Sequence, residues 1–293
     1  MGTTIFLVNP QTFGGSSYLV DDYSIPVAYS VRKISSTATN CLRVRRDSDN
    51  AEQDIGFSGN NLDTSSLSTF VGANSGYVTK WYNQGTSGSG ADLVQATAGN
   101  QPRIVNAGTN DTDNGVICIY SSGDWMQSTN HDLGITTRSS FVVTSMINNL
   151  QNYGIYSVHT GTGNDFDRTD SYTYAQYNST LNYDHSIAGS SSTDYRQQQG
   201  TGVNTAIPQR IVTEIVASGT GTFYLDGTST STDSSFTAFT GSTNQLLLGA
   251  RYVSGAVTLA GNNRFQEMLF FQSDESANRT DIESDINTYY SIY

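Results

Sequence analysis

Ile211-Val212-Thr213-Glu214-Ile215-Val216-Ala217, followed by Thr222-Phe223-Tyr224-Leu225-Asp226-Gly227, is the stretch on which the fold turns. β-branched and aromatic residues dominate both runs, and both have the length of strands rather than helices. The Asp-Gly pair that ends the second run accepts the positive φ a tight hairpin turn demands. Working outward, the same cadence recurs. Strands are predicted over Ala28 to Ile34, Cys41 to Arg45, Gly76 to Tyr82, Gly115 to Tyr120, Ser140 to Ile147 and Tyr153 to His159, and again over Tyr172 to Tyr177, Gln245 to Leu248 and Arg264 to Phe271. Polar turn clusters such as Gly85-Thr86-Ser87-Gly88-Ser89-Gly90 separate them, and no fixed-period repeat is visible, which disfavours a solenoid or propeller.

Two helices interrupt this pattern. Asp63 to Val71 places Leu67, Phe70 and Val71 at helical spacing behind an Asp or Thr cap. Near the carboxy terminus Ile282, Ile286 and Tyr289 form one apolar stripe, with Ser273 or Asp274 as the expected cap. The fold class read from these elements is all-β, a jelly-roll β-sandwich closed by a short C-terminal helix. The expected division is an amino-terminal arm or first strand over 1–22 and one sandwich domain over 23–293. The arm carries Ile5-Phe6-Leu7-Val8 ahead of Gly14-Gly15-Ser16-Ser17, an apolar run that pairing with a neighbour's sheet edge would satisfy.

Composition agrees and excludes partners. At 293 residues the chain can bury a core without disulfide staples. Its net charge of −12, from 14 Lys and Arg against 26 Asp and Glu, argues against nucleic acid, whose phosphates need clustered cations. The basic run Arg43-Val44-Arg45-Arg46 puts Arg43 and Arg45 on one strand face, with Asp47, Asp49 and Asp54 as expected ion-pair partners. No signal-peptide pattern and no membrane span is read from the sequence. Cys41 and Cys118 lack any CxxC spacing and read as two buried, reduced thiols.

Several segments together resemble a known family. Ala28-Tyr29-Ser30, Leu42-Arg43-Val44-Arg45-Arg46-Asp47-Ser48-Asp49, Val78-Thr79-Lys80-Trp81-Tyr82-Asn83-Gln84-Gly85 and Asp92-Leu93-Val94-Gln95-Ala96 are similar to pieces of the arabinofuranosidase B catalytic domain. The Thr222 to Gly227 hairpin and the strand Phe265 to Phe271 resemble the concanavalin A-like and laminin G-like sandwiches to which that domain is related. Versions of this domain also resemble proteins carried on tailed bacteriophage particles. The resemblance therefore implies a concanavalin A-like fold, a virion setting with other virion proteins or identical subunits as partners, and a surface glycan as ligand.

The resemblance also implies where catalysis would sit, and the sequence departs from it there. A retaining glycosidase needs two carboxyl groups about 5 to 5.5 Å apart. The family places a Glu nucleophile in an Asp-Met-Glu-Asn-like strand and an acidic Asp after a Leu-Gly-Ile-Gly-Gly turn. This chain has five Glu: Glu52, Glu275 and Glu283 lie outside any such strand, and Glu214 and Glu267 sit in apolar strands without that context. At the acid position Leu248-Gly249-Ala250-Arg251-Tyr252-Val253 supplies Arg and Tyr, and the family's Cys-Cys pair is missing around Asn152 to Thr160. No catalytic residue is carried over. His131, His159 and His185 lack zinc-site spacing.

Binding chemistry remains. Eighteen Tyr offer flat faces for sugar rings, most densely at Tyr172, Tyr174, Tyr177 and Tyr183, with Asn178, Asn182 and Asp184 to hold hydroxyls. Calcium is the one cofactor considered, at Asp165, Asp167 and Asp170 or at Asp111 and Asp113, although ordinary polar turns explain such Asp runs equally. Three readings stay open: a non-enzymatic virion structural or decoration protein with a lectin-like sandwich, a secreted arabinofuranosidase-like glycoside hydrolase, and a free carbohydrate-binding module.

Overall fold

A computed structural model describes residues 18–131, 133, 137–147, 154–159, 171–177, 182–187, 195–198, 207–233, 244–253, 255–258 and 260–293. Two antiparallel layers organise the described chain. In the first, Thr228–Asp233, Thr220–Leu225, Ile207–Ala217, Arg138–Met146 and Asn262–Phe271 lie side by side. The last strand is long enough for two partners, pairing Val27–Ser30 along its carboxy-terminal half and Ile119–Ser122 along its amino-terminal half. In the second layer the order is Tyr195–Gln198, Asn182–Ile187, Ser171–Tyr177, Gly154–His159, Asn244–Leu248, Met126–His131, Leu93–Val94, Gly76–Trp81, Asn40–Arg46 and Glu52–Ser58. Arg103–Asn106 joins the layers at one corner by pairing with both Gly76–Trp81 and Ile119–Ser122.

Side chains from the two layers meet in the middle. Tyr156 stands edge-on to Phe270 at 5.3 Å, and its hydroxyl lies 3.2 Å from Ser140 Oγ. Tyr29 and Trp81, both fully buried, meet at 5.7 Å. Arg138–Met146 is buried at every position because the second layer covers one face and the chain's closing segment covers the other. A strand covered twice must satisfy its polar groups internally. Thr144 donates to the Arg264 carbonyl at 2.9 Å and Ser139 to the Ser273 carbonyl at 2.9 Å.

The hairpin read from Asp226-Gly227 is present, with φ of +49° and +76° at the two turn residues, the left-handed pair that matches strand twist. The helix Thr64–Val71 starts where its cap places it, Asp63 accepting from the Ser66 N–H at 3.0 Å. The closing helix starts later than the cap expected at Ser273 or Asp274. It spans Arg279–Tyr290, because Asp274 turns its carboxylate onto the Ser276 N–H at 3.0 Å and Asn278 donates to Glu275 at 2.7 Å, holding 273–278 in turns. Ile282 and Ile286 are buried as read; Tyr290 rather than Tyr289 completes the stripe, with Tyr289 packed at its margin.

Other boundaries shift for local reasons. Gly115 to Tyr120 is two strands, Val116–Ile117 and Ile119–Ser122, separated at Cys118. Leu19 and Val20, on the short helix Leu19–Tyr23, are buried in the core, so the end of the segment expected as an arm or first strand packs as a helix on the sandwich; residues 1–17 lie outside the described residues. Cys41 and Cys118 are buried free thiols whose ionisation burial suppresses. Among the described residues no helix is long and apolar enough to cross a membrane.

Candidate functional site

Hydrolysis needs accessible carboxyl groups; Glu52 is exposed at the start of Glu52–Ser58, at the edge of the second layer, whereas Glu214 and Glu267 are committed elsewhere. Glu267, fully buried on Asn262–Phe271, receives Arg32 Nε at 2.7 Å and Nη2 at 2.9 Å, Ser30 Oγ at 2.7 Å and the Tyr290 hydroxyl at 3.2 Å. Burial opposes the Arg32 charge, but Glu267 beside it outweighs burial and holds the guanidinium above its ordinary value. Glu214 is bound by Arg138 Nη2 at 2.7 Å, both side chains being almost wholly buried. Such pairs satisfy charges that burial would otherwise penalise heavily. Glu283, on the buried face of the closing helix, accepts from Thr213 at 2.7 Å and from Arg279, and burial raises its pKa. A polar cleft of about 360 Å³ opens beside it, lined among others by Asp226, Arg279, Asn287 and Tyr293. Asp226 is in turn held by Arg210 at 2.6 Å.

The turn after Asn244–Leu248 is built on close backbone approach. Gly249 has φ +82°, and a side chain there would meet the Asp124 carbonyl at 2.7 Å. A Cβ on Gly154 would stand 2.3 Å from the Ala250 backbone, so Gly154–His159 passes directly against the turn. The turn then presents Arg251, nearly buried, and Tyr252, whose ring lies flat on the imidazole of His159 at 3.8 Å and 6°. Burial lowers His159 to about 4, so the ring is neutral at pH 7. Sequence reasoning treated His159 as an isolated histidine and the turn as a missing acid; the stack between them had no signal in either segment.

The strands expected to carry the sugar site lie beside this stack. Ser171–Tyr177 pairs with Gly154–His159, setting Tyr172 opposite Val158 and Tyr174 opposite Tyr156. On its other edge Tyr174 stands opposite His185, Ala175 opposite Asp184 and Gln176 opposite Tyr183. Backbone register therefore gathers Tyr172, Tyr174, Tyr177, Tyr183 and Asp184 onto two adjacent strands. Asn178 lies outside the described residues, as do Asp165, Asp167 and Asp170. Of the other calcium pair, Asp111 gives both oxygens to Arg103 at 2.8 and 2.9 Å, and Asp113 lies on the short strand Thr112–Asp113. Among the described residues no group of three or more His, Cys, Asp or Glu could hold a metal.

The basic run is split in its duties. Arg43 is bidentate on Asp54 at 2.7 and 2.9 Å, as expected; Asp49 is taken instead by Arg46 at 3.0 and 2.6 Å, and Asp47 accepts from the Ser75 N–H at 3.1 Å. Arg45 departs from the expectation of an acidic partner. Register places it between Tyr77 and Glu52, yet its guanidinium donates to Gln101 at 2.7 Å and Asn50 at 2.9 Å and lies 5.1 Å from the Tyr77 ring centre.

No protein-family model matches this chain, and no curated protein matches it by sequence. Among solved structures, a GH54 α-L-arabinofuranosidase soaked with a cyclic sulfate inhibitor superposes with a TM-score of 0.65 at 12% identity, over 89% of this chain and 62% of that one. An arabinofuranosidase complexed with arabinofuranosyl-α-1,2-xylobiose superposes with a TM-score of 0.63 at 14% identity, over the same shares. The chain thus spans under two thirds of the length of those enzymes. Its all-β sandwich is similar to the fold of those enzymes, and at this identity the likeness is one of fold alone.

Proposed function

We propose that this protein is a non-hydrolytic, lectin-like sandwich that binds carbohydrate on the strands Ser171–Tyr177 and Asn182–Ile187, beside the His159–Tyr252 stack. The observation that carries the reading is that stack: an aromatic residue, packed flat on a histidine that burial keeps neutral, occupies the turn where the resembled family supplies its acid. A neutral aromatic surface suits the apolar face of a sugar ring and cannot protonate a leaving group. The strand glutamates Glu214 and Glu267 are tied into buried arginine pairs, which supports binding without turnover.

The test combines a glycan array with an aryl arabinofuranoside and mixed plant and bacterial polysaccharides. Binding without turnover, reduced when Tyr172 and Tyr174 are both changed to Ala, is expected. Turnover that a single carboxylate substitution abolishes, Asp184→Asn for example, establishes the hydrolase instead. The same proposal puts the protein on a virus particle, attached to other virion proteins or identical subunits through residues 1 to about 20. That part rests on the sequence resemblance. Deleting residues 1–17, which spares the buried Leu19 and Val20, is expected to leave the sandwich folded and to remove it from the particle; unfolding of the truncated protein refutes the attachment arm.

A further inference from the structure

One row of side chains crosses the molecule at right angles to its strands. Read across hydrogen-bonded register, Arg45 pairs with Tyr77, Tyr77 with Arg103, Arg103 with Tyr120 and Tyr120 with Arg264. Cation and aromatic alternate over five consecutive strands that come from both layers of the sandwich. All five side chains are partly exposed, while their chain neighbours Val44, Val78, Ile104, Ile119 and Phe265 are fully buried. The period-two alternation of a strand therefore turns the whole row outward. Ring contacts knit it together: Arg45 lies 5.1 Å from the Tyr77 centre, Arg103 4.6 Å and Arg264 6.0 Å from that of Tyr120.

The charges in the row are only partly offset: Arg103 is paired with Asp111, and Glu52 stands opposite Arg45 on the neighbouring strand without closing an ion pair. Acids outnumber bases 26 to 14 in this chain, yet among the described residues neither Arg45 nor Arg264 has a carboxylate within ion-pair reach. Arg103 spends Nε and Nη2 on Asp111, leaving Nη1 outside that fork. Two strand spacings separate successive arginines, roughly 10 Å each, and the row is about 19 Å long. Ten ångströms is close to the length of an extended disaccharide.

The geometry points to a second binding site here, for an anionic polysaccharide that carries its acid group on alternate sugars. Each acid would meet a guanidinium by charge-assisted hydrogen bonds, and each intervening ring would lie by a tyrosine. A nucleic-acid strand carries charge on every unit, which the spacing of one cation per two strands does not match. This site stands apart from Tyr172 and Tyr174, so it and the sugar site proposed above succeed or fail separately.

Titration calorimetry at low salt with the intact protein tests it, using hyaluronate oligosaccharide as the alternating uronate, a neutral chitin oligosaccharide and a single-stranded DNA oligomer. Hyaluronate is expected to bind, to weaken as salt rises, and to lose about tenfold in affinity in the double variant Arg45→Gln/Arg264→Gln with an unchanged melting temperature. Tyr172→Ala/Tyr174→Ala is expected to leave this binding intact. If loss of the Arg45 bonds to Gln101 and Asn50 unfolds the double variant, Arg264→Gln alone is used, with a loss of about threefold expected. Absence of hyaluronate binding, unchanged affinity in a folded arginine variant, or equally tight binding of the chitin oligosaccharide or the DNA would overturn the proposal.

Discussion

Replacing Glu267 by Gln changes one atom type at the most demanding point of the core. Glu267 is fully buried and is the common acceptor for Arg32, Ser30 and Tyr290. The amide keeps one acceptor oxygen but turns an NH2 donor toward donors that need an acceptor, and it strands the Arg32 charge. Removing one partner of a buried pair costs about 3–5 kcal/mol. Arg32 retains Asp285 at 2.5 Å, but that carboxylate is 43% exposed, so its Coulomb relief is partial and the lower end of that range applies. For a chain of this size about 3 kcal/mol corresponds to a fall in Tm of roughly 6–12 °C. Urea unfolding of Glu267→Gln measures the loss directly. The exchange Arg32→Met/Glu267→Leu removes both charges and is expected to cost less than the single change, because no unpaired ion remains buried. A single variant within about 1 kcal/mol of the parent, or a double variant as costly as both single changes summed, refutes the claim that pairing rather than mere volume holds this site.

Three further outcomes are expected. His159 is lowered from 6.5 to about 4 in the folded protein, so the unfolded chain binds the extra proton first. The contribution of this group is therefore complete above pH 6.5 and is lost as pH falls toward 4, by about 3 kcal/mol at most; His159→Gln should flatten that part of the stability profile, and an unchanged profile would contradict the buried neutral imidazole. Gly154→Ala places a methyl 2.3 Å from the Ala250 backbone and should cost about 1–3 kcal/mol or more by denaturant unfolding, whereas neutrality would mean that the strand does not press on the turn. Cys41 and Cys118 should both react with a thiol reagent after denaturation without reductant, and neither should react in the folded state; a chain with no titratable thiol in denaturant would show a disulfide instead.

Much of the architecture was legible because it is written locally. The Asp226-Gly227 turn, the cap at Asp63, and the Arg43 partner lie within a few residues of their cause or repeat with the strand period. Sequence context places Glu214 and Glu267 in apolar strands, and both lie there buried; their arginine partners, far off in the chain, had no local signal. The start of the closing helix was misread because the side chains of Asp274 and Glu275 compete for nearby donors, a contest that apolar periodicity does not register.

What the sequence by itself determined is the set of strands, their tight turns and the parity that sends Val44 inward and Arg43 and Arg45 outward. Only the tertiary structure decided which strand lies beside which. Residues 45, 77, 103, 120 and 264 become one row, and His159 meets Tyr252, through register between segments far apart in the chain. Periodicity along a single strand fixes the face a side chain takes; its neighbours across the sheet are fixed by hydrogen-bond pairing and by packing of the whole core, which no local window of sequence contains.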